Sequence, residues 1–262
     1  MIGLFKRYVR FLLDNLSTRK TTKVSQNGIE FIIETRDKLG EEWNLISDYD
    51  YSEFQVFHKI DKNKIYNVYY FGSHQCVIPI KIHKIFLKKT KLFCFEAIRK
   101  NYLVGKQNIK LNNCEDKVEL FNEAISTING FEYFDPISMN SYKTDKKLFS
   151  TKVKSLDLET AIKKNGEGNL LYFDIEGLEG KVLEKGINFL KTWKNNLFIE
   201  AHGIDFMERY NYSNVKLFNL LKNNGYKVYK LKKDYKTNIK KFEKIIQNED
   251  VPEKRFYMYA HN

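Results

Sequence analysis

Residues 168–202 read GNLLYFDIEGLEGKVLEKGINFLKTWKNNLFIEAH, and the fold turns on how this stretch is parsed. Leu170, Leu171, Tyr172 and Phe173 make a short apolar run of the kind that forms a buried strand. It ends at Asp174-Ile175-Glu176-Gly177. A helical pattern follows, with Leu178, Val182 and Leu183 on one face and Gly186 expected as its stop. A second apolar strand, 197–199, then runs into Glu200-Ala201-His202. Two strands joined through a helix predict a parallel pair, and ligands of open α/β sheets gather at the carboxyl ends of the strands. Asp174 and Glu176 are two apart, as are Glu200 and His202, so strand geometry carried to the tips would point each pair to one side. The plainer role of such acids, for Glu176 and Glu179 in particular, is to cap the next helix or complement its dipole.

Working back toward the N-terminus, the run 66–71 reads as a strand, Gly72-Ser73-His74-Gln75-Cys76 as a tight turn and 77–87 as a helix. Strand, glycine turn and helix form the arrangement in which a backbone approaches a phosphate or cofactor closely. Leu92-Phe93-Cys94-Phe95 is a further strand with Glu96 at its tip, 24 residues beyond Gly72. An acid at about that distance is placed to accept from the two hydroxyls of a ribose. A third strand, 118–121, ends at Asn122-Glu123-Ala124.

Ser155-Leu156-Asp157, then FDIEGLEGKVLEKG, then FIEAH resemble the ordered motifs of the FkbM-type family of S-adenosylmethionine-dependent methyltransferases. The glycine turn is similar to that family's D-x-G-A-N-x-G, with Tyr70 in the place of the aspartate and Cys76 in that of the second glycine. Residues 95–112 are similar to its F-E-P-x-x-x-N-x-x-x-L-x-x-N-x-x-x-N; Asn101, Asn108 and Asn112 match, Ala97 replaces the proline and Gly105 the leucine. The resemblance implies a Rossmann-like class I methyltransferase fold. Its mainly parallel, mixed seven-stranded sheet would carry helices on both faces and an N-terminal helical extension. It implies S-adenosylmethionine as cofactor, held by Gly72, Ser73, His74, Glu96, Glu123, Ala124 and Asp174, with Glu123 and Ala124 beside the adenine. It implies methyl transfer to a hydroxyl of a glycan or small metabolite, with Asp174, Glu176 and His202 as catalytic residues. His202 is the base favoured by its ordinary pKa. A Cβ at position 76 is expected to crowd the cofactor, and the rival reading is a methyltransferase-fold scaffold or partner subunit that no longer binds it.

The rest of the chain sets bounds. With 262 residues and 20 Phe and 17 Tyr, it can bury a substantial core. Its net charge of +12 comes from 38 Lys and only 7 Arg. Because specific phosphate and base readers lean on Arg, nucleic acid ranks last among partners. Cys76, Cys94 and Cys114 have no metal-ligand spacing, which suits a reducing, cytoplasmic setting. The adopted reading places no metal at the site, although Asp174, Glu176, Glu200 and His202 form a set that could converge on a divalent ion.

Residues 1–17 carry an apolar stripe at helical spacing and suggest a helix against the domain, a membrane surface or a partner. Residues 18–27 read as a linker, so that 1–24 precede a methyltransferase domain over 25–262. Strands are expected at 28–34, 131–134, 226–231 and 255–260, and helices at 49–60, 158–164 and 214–223. A lysine-rich connection without regular structure is expected over 232–250. The sequence does not define an oligomeric state.

Overall fold

The computed structural model describes residue 9 and residues 19–36, 52–135, 143–144, 150–192, 194–233 and 240–262. The expected helix over 1–17 therefore lies, apart from Val9, outside the described residues.

The described chain opens with a hairpin, β1 (Lys20–Gln26) and β2 (Ile29–Thr35), where a linker was expected over 18–27. Asn27 and Gly28 both have positive φ, the requirement of a two-residue hairpin turn. This Asn-Gly pair is the signal that the polar composition of β1 obscured. Asn108 and Asn112 hold β2 in place. Asn108 accepts from the Glu34 backbone N–H (2.7 Å), and Asn112 accepts from that of Ile32 (3.1 Å). The helix expected over 49–60 is instead a 3-10 helix, Ser52–His58. Its Phe54 and Phe57, three apart and hence aligned in that geometry, both meet the ring of Phe86.

The core α/β units follow in order: β3 (Asn67–Phe71), α1 (Val77–Ile85), β4 (Lys91–Phe95), α2 (Arg99–Leu111) and β5 (Val118–Phe121). Next come β6 (Ala124–Ile125), β7 (Gly130–Phe134) and β8 (Thr151–Leu156), which form a separate three-stranded sheet ordered β6-β8-β7. Helix α3 (Leu158–Asn165) is capped by Asp157, which accepts from the Thr160 N–H at 2.8 Å. Then come β9 (Leu170–Phe173), α4 (Glu179–Leu190), β10 (Asn196–Ala201), a single turn α5 (Ile204–Met207), α6 (Asn214–Asn223), β11 (Lys227–Lys233), β12 (Lys240–Lys244) and β13 (Phe256–His261). Helix α4 does not stop at Gly186. A Cβ there would stand 2.8 Å from Leu158 Cδ2, so this glycine lets α4 lie close to α3.

The main sheet is ordered β12-β11-β13-β10-β9-β3-β4-β5. Strands β5, β4, β3, β9 and β10 are parallel, and β13 runs antiparallel between β10 and β11. This is the Rossmann-like class I methyltransferase arrangement, with an eighth strand added to the expected seven. The addition is β12, inside the connection expected to lack regular structure. Its anchor is Phe242, whose ring lies 5.6 Å from that of Tyr259.

Alternation along the parallel strands fills both faces. Tyr69, Phe71, Phe93, Phe95, Leu171 and Phe173 pack toward α3, α4 and α6. Val68, Tyr70, Leu92, Cys94, Leu170 and Tyr172 pack on the opposite face with α1 and the hairpin. Tyr70, in the position the family gives to an aspartate, is stacked on Tyr172 at 4.3 Å and 10°. The five parallel strands thus deliver their polar tips to one end of the sheet.

Candidate active site

The turn after β3 is fixed by its neighbours. The N–H groups of Gly72 and Ser73 both donate to the Phe95 carbonyl, at 3.0 and 2.9 Å. The His74 N–H donates to Glu96 Oε2 at 2.8 Å. Gly72 has φ +85, and a Cβ on it would lie 1.7 Å from the Asp174 carbonyl oxygen. The glycine is therefore demanded by the β9 tip, whereas the sequence suggested the approach of a ligand. Cys76 also differs from expectation. It is left-handed (φ +60) and fully buried beside Cys94 and Gly105, within the core under α1, so its Cβ does not crowd the turn.

Glu96 is buried at the tip of β4. Oε1 accepts from the Ile98 N–H (2.8 Å) and from Asn101 Nδ2 (3.4 Å), and Oε2 from His74. Burial raises its pKa to about 7 against these hydrogen bonds. Asn122 Nδ2 donates to the Glu96 carbonyl and joins the β5 tip to the β4 tip. Ala124 opens β6 of the three-stranded sheet, and Glu123 stands just before it. Glu123 pairs with Lys154 at 2.6 Å and Lys164 at 3.6 Å, and Ala124 packs with Ile98, Phe134 and Val153.

The second half of the site lies at the tips of β9 and β10. Strand geometry ends at Phe173, and Glu176 takes φ +58, so Asp174 and Glu176 converge through a turn and not through strand alternation. Both reach His202. Its Nε2 lies 3.7 Å from Asp174 Oδ1 and 3.4 Å from Glu176 Oε2. His202 is fully buried, and its Nδ1 faces Glu179 Oε1 at 2.9 Å and the Glu200 carbonyl at 3.0 Å. Glu179 Oε1 also accepts from the N–H groups of Ile175 (3.0 Å) and Gly177 (3.3 Å), so one buried carboxylate shapes the turn and holds the imidazole. Arg255 places its guanidinium on Glu200 Oε1.

Burial alone would push the His202 pKa down. Glu179, Asp174 and Glu176 outweigh it and lift the pKa to about 9, above the ordinary range expected from the sequence. Burial and then the charge of Asp174 raise Glu176 to about 8, against the pull of His202. Asp174 is raised by burial, against His202 and Arg255.

The sequence named Glu179 only as a helix-start acid and gave no role to Glu53, Arg255 or Tyr257, all of which stand at this site. Glu53, in the 3-10 helix, is raised by burial, hydrogen-bonds Tyr257 and feels the charges of Asp174 and Arg255. Glu179 stands inside the quoted motif, whereas Glu53, Arg255 and Tyr257 carry no local signal. Asp174, Glu200 and His202 each offer a ligand atom within 4.8 Å of the others, and so could hold a metal. No helix among the described residues is long and apolar enough to cross a membrane.

Residues 77–228 match the family model described as the methyltransferase FkbM domain. No curated protein matches the chain. Among solved structures, StiE O-MT is similar at 16% identity and a TM-score of 0.44, over 67% of this chain and 50% of that one. Methyltransferase FkbM from Methylobacillus flagellatus KT is similar at 10% identity and a TM-score of 0.47, over 74% of this chain and 43% of that one. Precorrin-6y C5,15-methyltransferase from Geobacter metallireducens GS-15 is similar at 10% identity and a TM-score of 0.46, over 84% and 91%. The chain spans about half the length of the first two of these structures.

Proposed function

The chain belongs to the methyltransferase FkbM domain family, and from that premise we propose that it transfers a methyl group from S-adenosylmethionine to a hydroxyl oxygen of a glycan or small metabolite. The observation that carries this reading is the convergence of Asp174 and Glu176 on His202, beside the turn at Gly72. The residues present fit the cofactor. A carboxylate has about four lone-pair sites, and Glu96 accepts three donors from its own chain, which leaves room for a ribose hydroxyl. The turn 72–74 would carry the amino-acid end, and Asp174 supplies negative charge that favours a nearby sulfonium. Glu123 and Ala124 are assigned to the adenine side by resemblance alone.

When bound, S-adenosylmethionine supplies an electrophilic methyl, so the protein's work is mainly alignment. Glu176 is the group to take the hydroxyl proton, since a base works best when its pKa is near the working pH. Asp174 orients the acceptor. His202, fully buried, holds both carboxylates in position, and Glu179 holds His202.

Calorimetry with S-adenosylmethionine tests the reading. The protein is expected to bind it, and Glu96→Ala to weaken binding by about 1.5–3 kcal/mol, the range for a charged hydrogen-bond partner. Absence of heat at millimolar ligand would remove the enzyme reading and leave the scaffold one.

A further inference from the structure

We infer that the tips of β9 and β10 form a divalent-cation site, in which Asp174, Glu200 and His202 ligate one ion. The inference rests on the geometry of this chain, independently of methyl transfer, and departs from the metal-free expectation of the sequence.

Two adjacent parallel strands bring one carboxylate oxygen from Asp174, one from Glu200 and an imidazole nitrogen within 4.8 Å of one another. Around an ion at roughly 2.1 Å, neighbouring ligands stand about 3 Å apart and opposite ones about 4.2 Å, so a small contraction brings all three atoms to ligand distance. The second observation is the state of His202. It is fully buried, its Nδ1 is engaged by Glu179, and its Nε2 makes no hydrogen bond among the described residues. That nitrogen is aimed at Asp174 and Glu176 from 3.7 and 3.4 Å. A proton shared with a carboxylate draws the heavy atoms to about 2.7–2.9 Å. The 3.7 Å between His202 Nε2 and Asp174 Oδ1 suits an ion between these two ligands. A histidine that donates one N–H to a carboxylate and turns the other nitrogen inward is the usual supporting arrangement of a metal-bound imidazole, and the ion takes the place of the Nε2 proton, which leaves on binding.

Arg255 covers Glu200 Oε1, and the carboxylate has a second oxygen to give. The two carboxylates suit manganese, and the imidazole nitrogen sets the site apart from the all-oxygen shells of calcium and magnesium. The remaining positions would be open to water or to a hydroxyl.

The test is electron paramagnetic resonance with Mn²⁺ alone, titrated into the full chain. Uptake of one ion is expected, weakened at least about tenfold by Asp174→Asn, which removes a ligand. Glu179→Gln leaves all three ligands and is expected to cost about 10–100-fold through the imidazole it supports. If that buried variant fails to fold, Asp174→Asn, at a partly exposed tip, carries the test. No uptake at millimolar Mn²⁺, or uptake unchanged by Asp174→Asn, overturns the site. Calorimetry with S-adenosylmethionine on the same sample separates the two readings. Mn²⁺ uptake without cofactor heat removes methyl transfer and keeps the ion; cofactor heat without uptake does the reverse.

Discussion

Cys76 and Gly105 face each other across the α1–α2 packing: a Cβ built on Gly105 would stand 3.2 Å from Cys76 Cβ and 2.7 Å from Leu120 Cδ2. These are two of the positions at which the chain departs from its family's pattern, and they touch. Cys76 carries a side chain where the pattern has glycine, and Gly105 lacks one where the pattern has leucine.

The contact predicts coupling. Gly105→Ala should destabilise by about 1–3 kcal/mol through overpacking. The loss should be smaller in a Cys76→Gly background, with an interaction energy of roughly 0.5–1.5 kcal/mol by urea unfolding. Strict additivity would show that the two departures are unrelated. Cys76→Gly alone should leave S-adenosylmethionine affinity unchanged, because the thiol points into the core.

Gly72→Ala should be among the most damaging single changes in the protein. Its Cβ would meet a backbone oxygen at 1.7 Å, at a φ of +85. A loss of roughly 3 kcal/mol or more is expected by thermal or urea unfolding. A near-normal melt would show that the β9 tip yields.

Glu96 should imprint a pH dependence on stability. Its carboxyl titrates at about 7 when folded, against an ordinary value of 4.5. Below pH 4.5 both states hold the proton and the full contribution is present. Above it the unfolded chain releases the proton first, so stability falls as pH rises toward 7, by on the order of 3 kcal/mol. Glu96→Gln should flatten that window in urea titrations; an unchanged slope would place the effect elsewhere.

The pH–rate profile of methyl transfer, measured with chelator present, should rise between about pH 8 and 9, where Glu176 and His202 titrate as a joined set. Glu176→Gln should lower turnover by about 10²–10⁴-fold and remove that limb. A limb at pH 6–7 that survives Glu176→Gln would return the proton to an ordinary histidine.

The sequence displayed its parallel strands because each is an uninterrupted apolar run, as in Leu170–Phe173. It hid β1, whose buried side includes Gln26, and β12, which has Phe242 among lysines and a glutamate. The meeting of Asp174, Glu176 and His202 was legible from two-residue spacing, yet it comes about by a left-handed turn at Glu176 that alternation does not describe. Glu179 was visible as a helix-start acid, but a second task inside the core leaves no trace in local pattern. Arg255 is brought to Glu200 across the β10–β13 pairing, and only the strand order brings them together.

Gly72 and Asp174 meet backbone to backbone, and the Asp174 N–H is bonded to the Phe71 carbonyl at 2.9 Å. The floor on which a cofactor would rest and the acid that would face an acceptor are thus one rigid block, with no hinge between them. Entry and exit of ligands must be governed by the surrounding walls. Variation in what the site accepts has to be sought there as well, since a change that repositioned the acid would drag the floor with it.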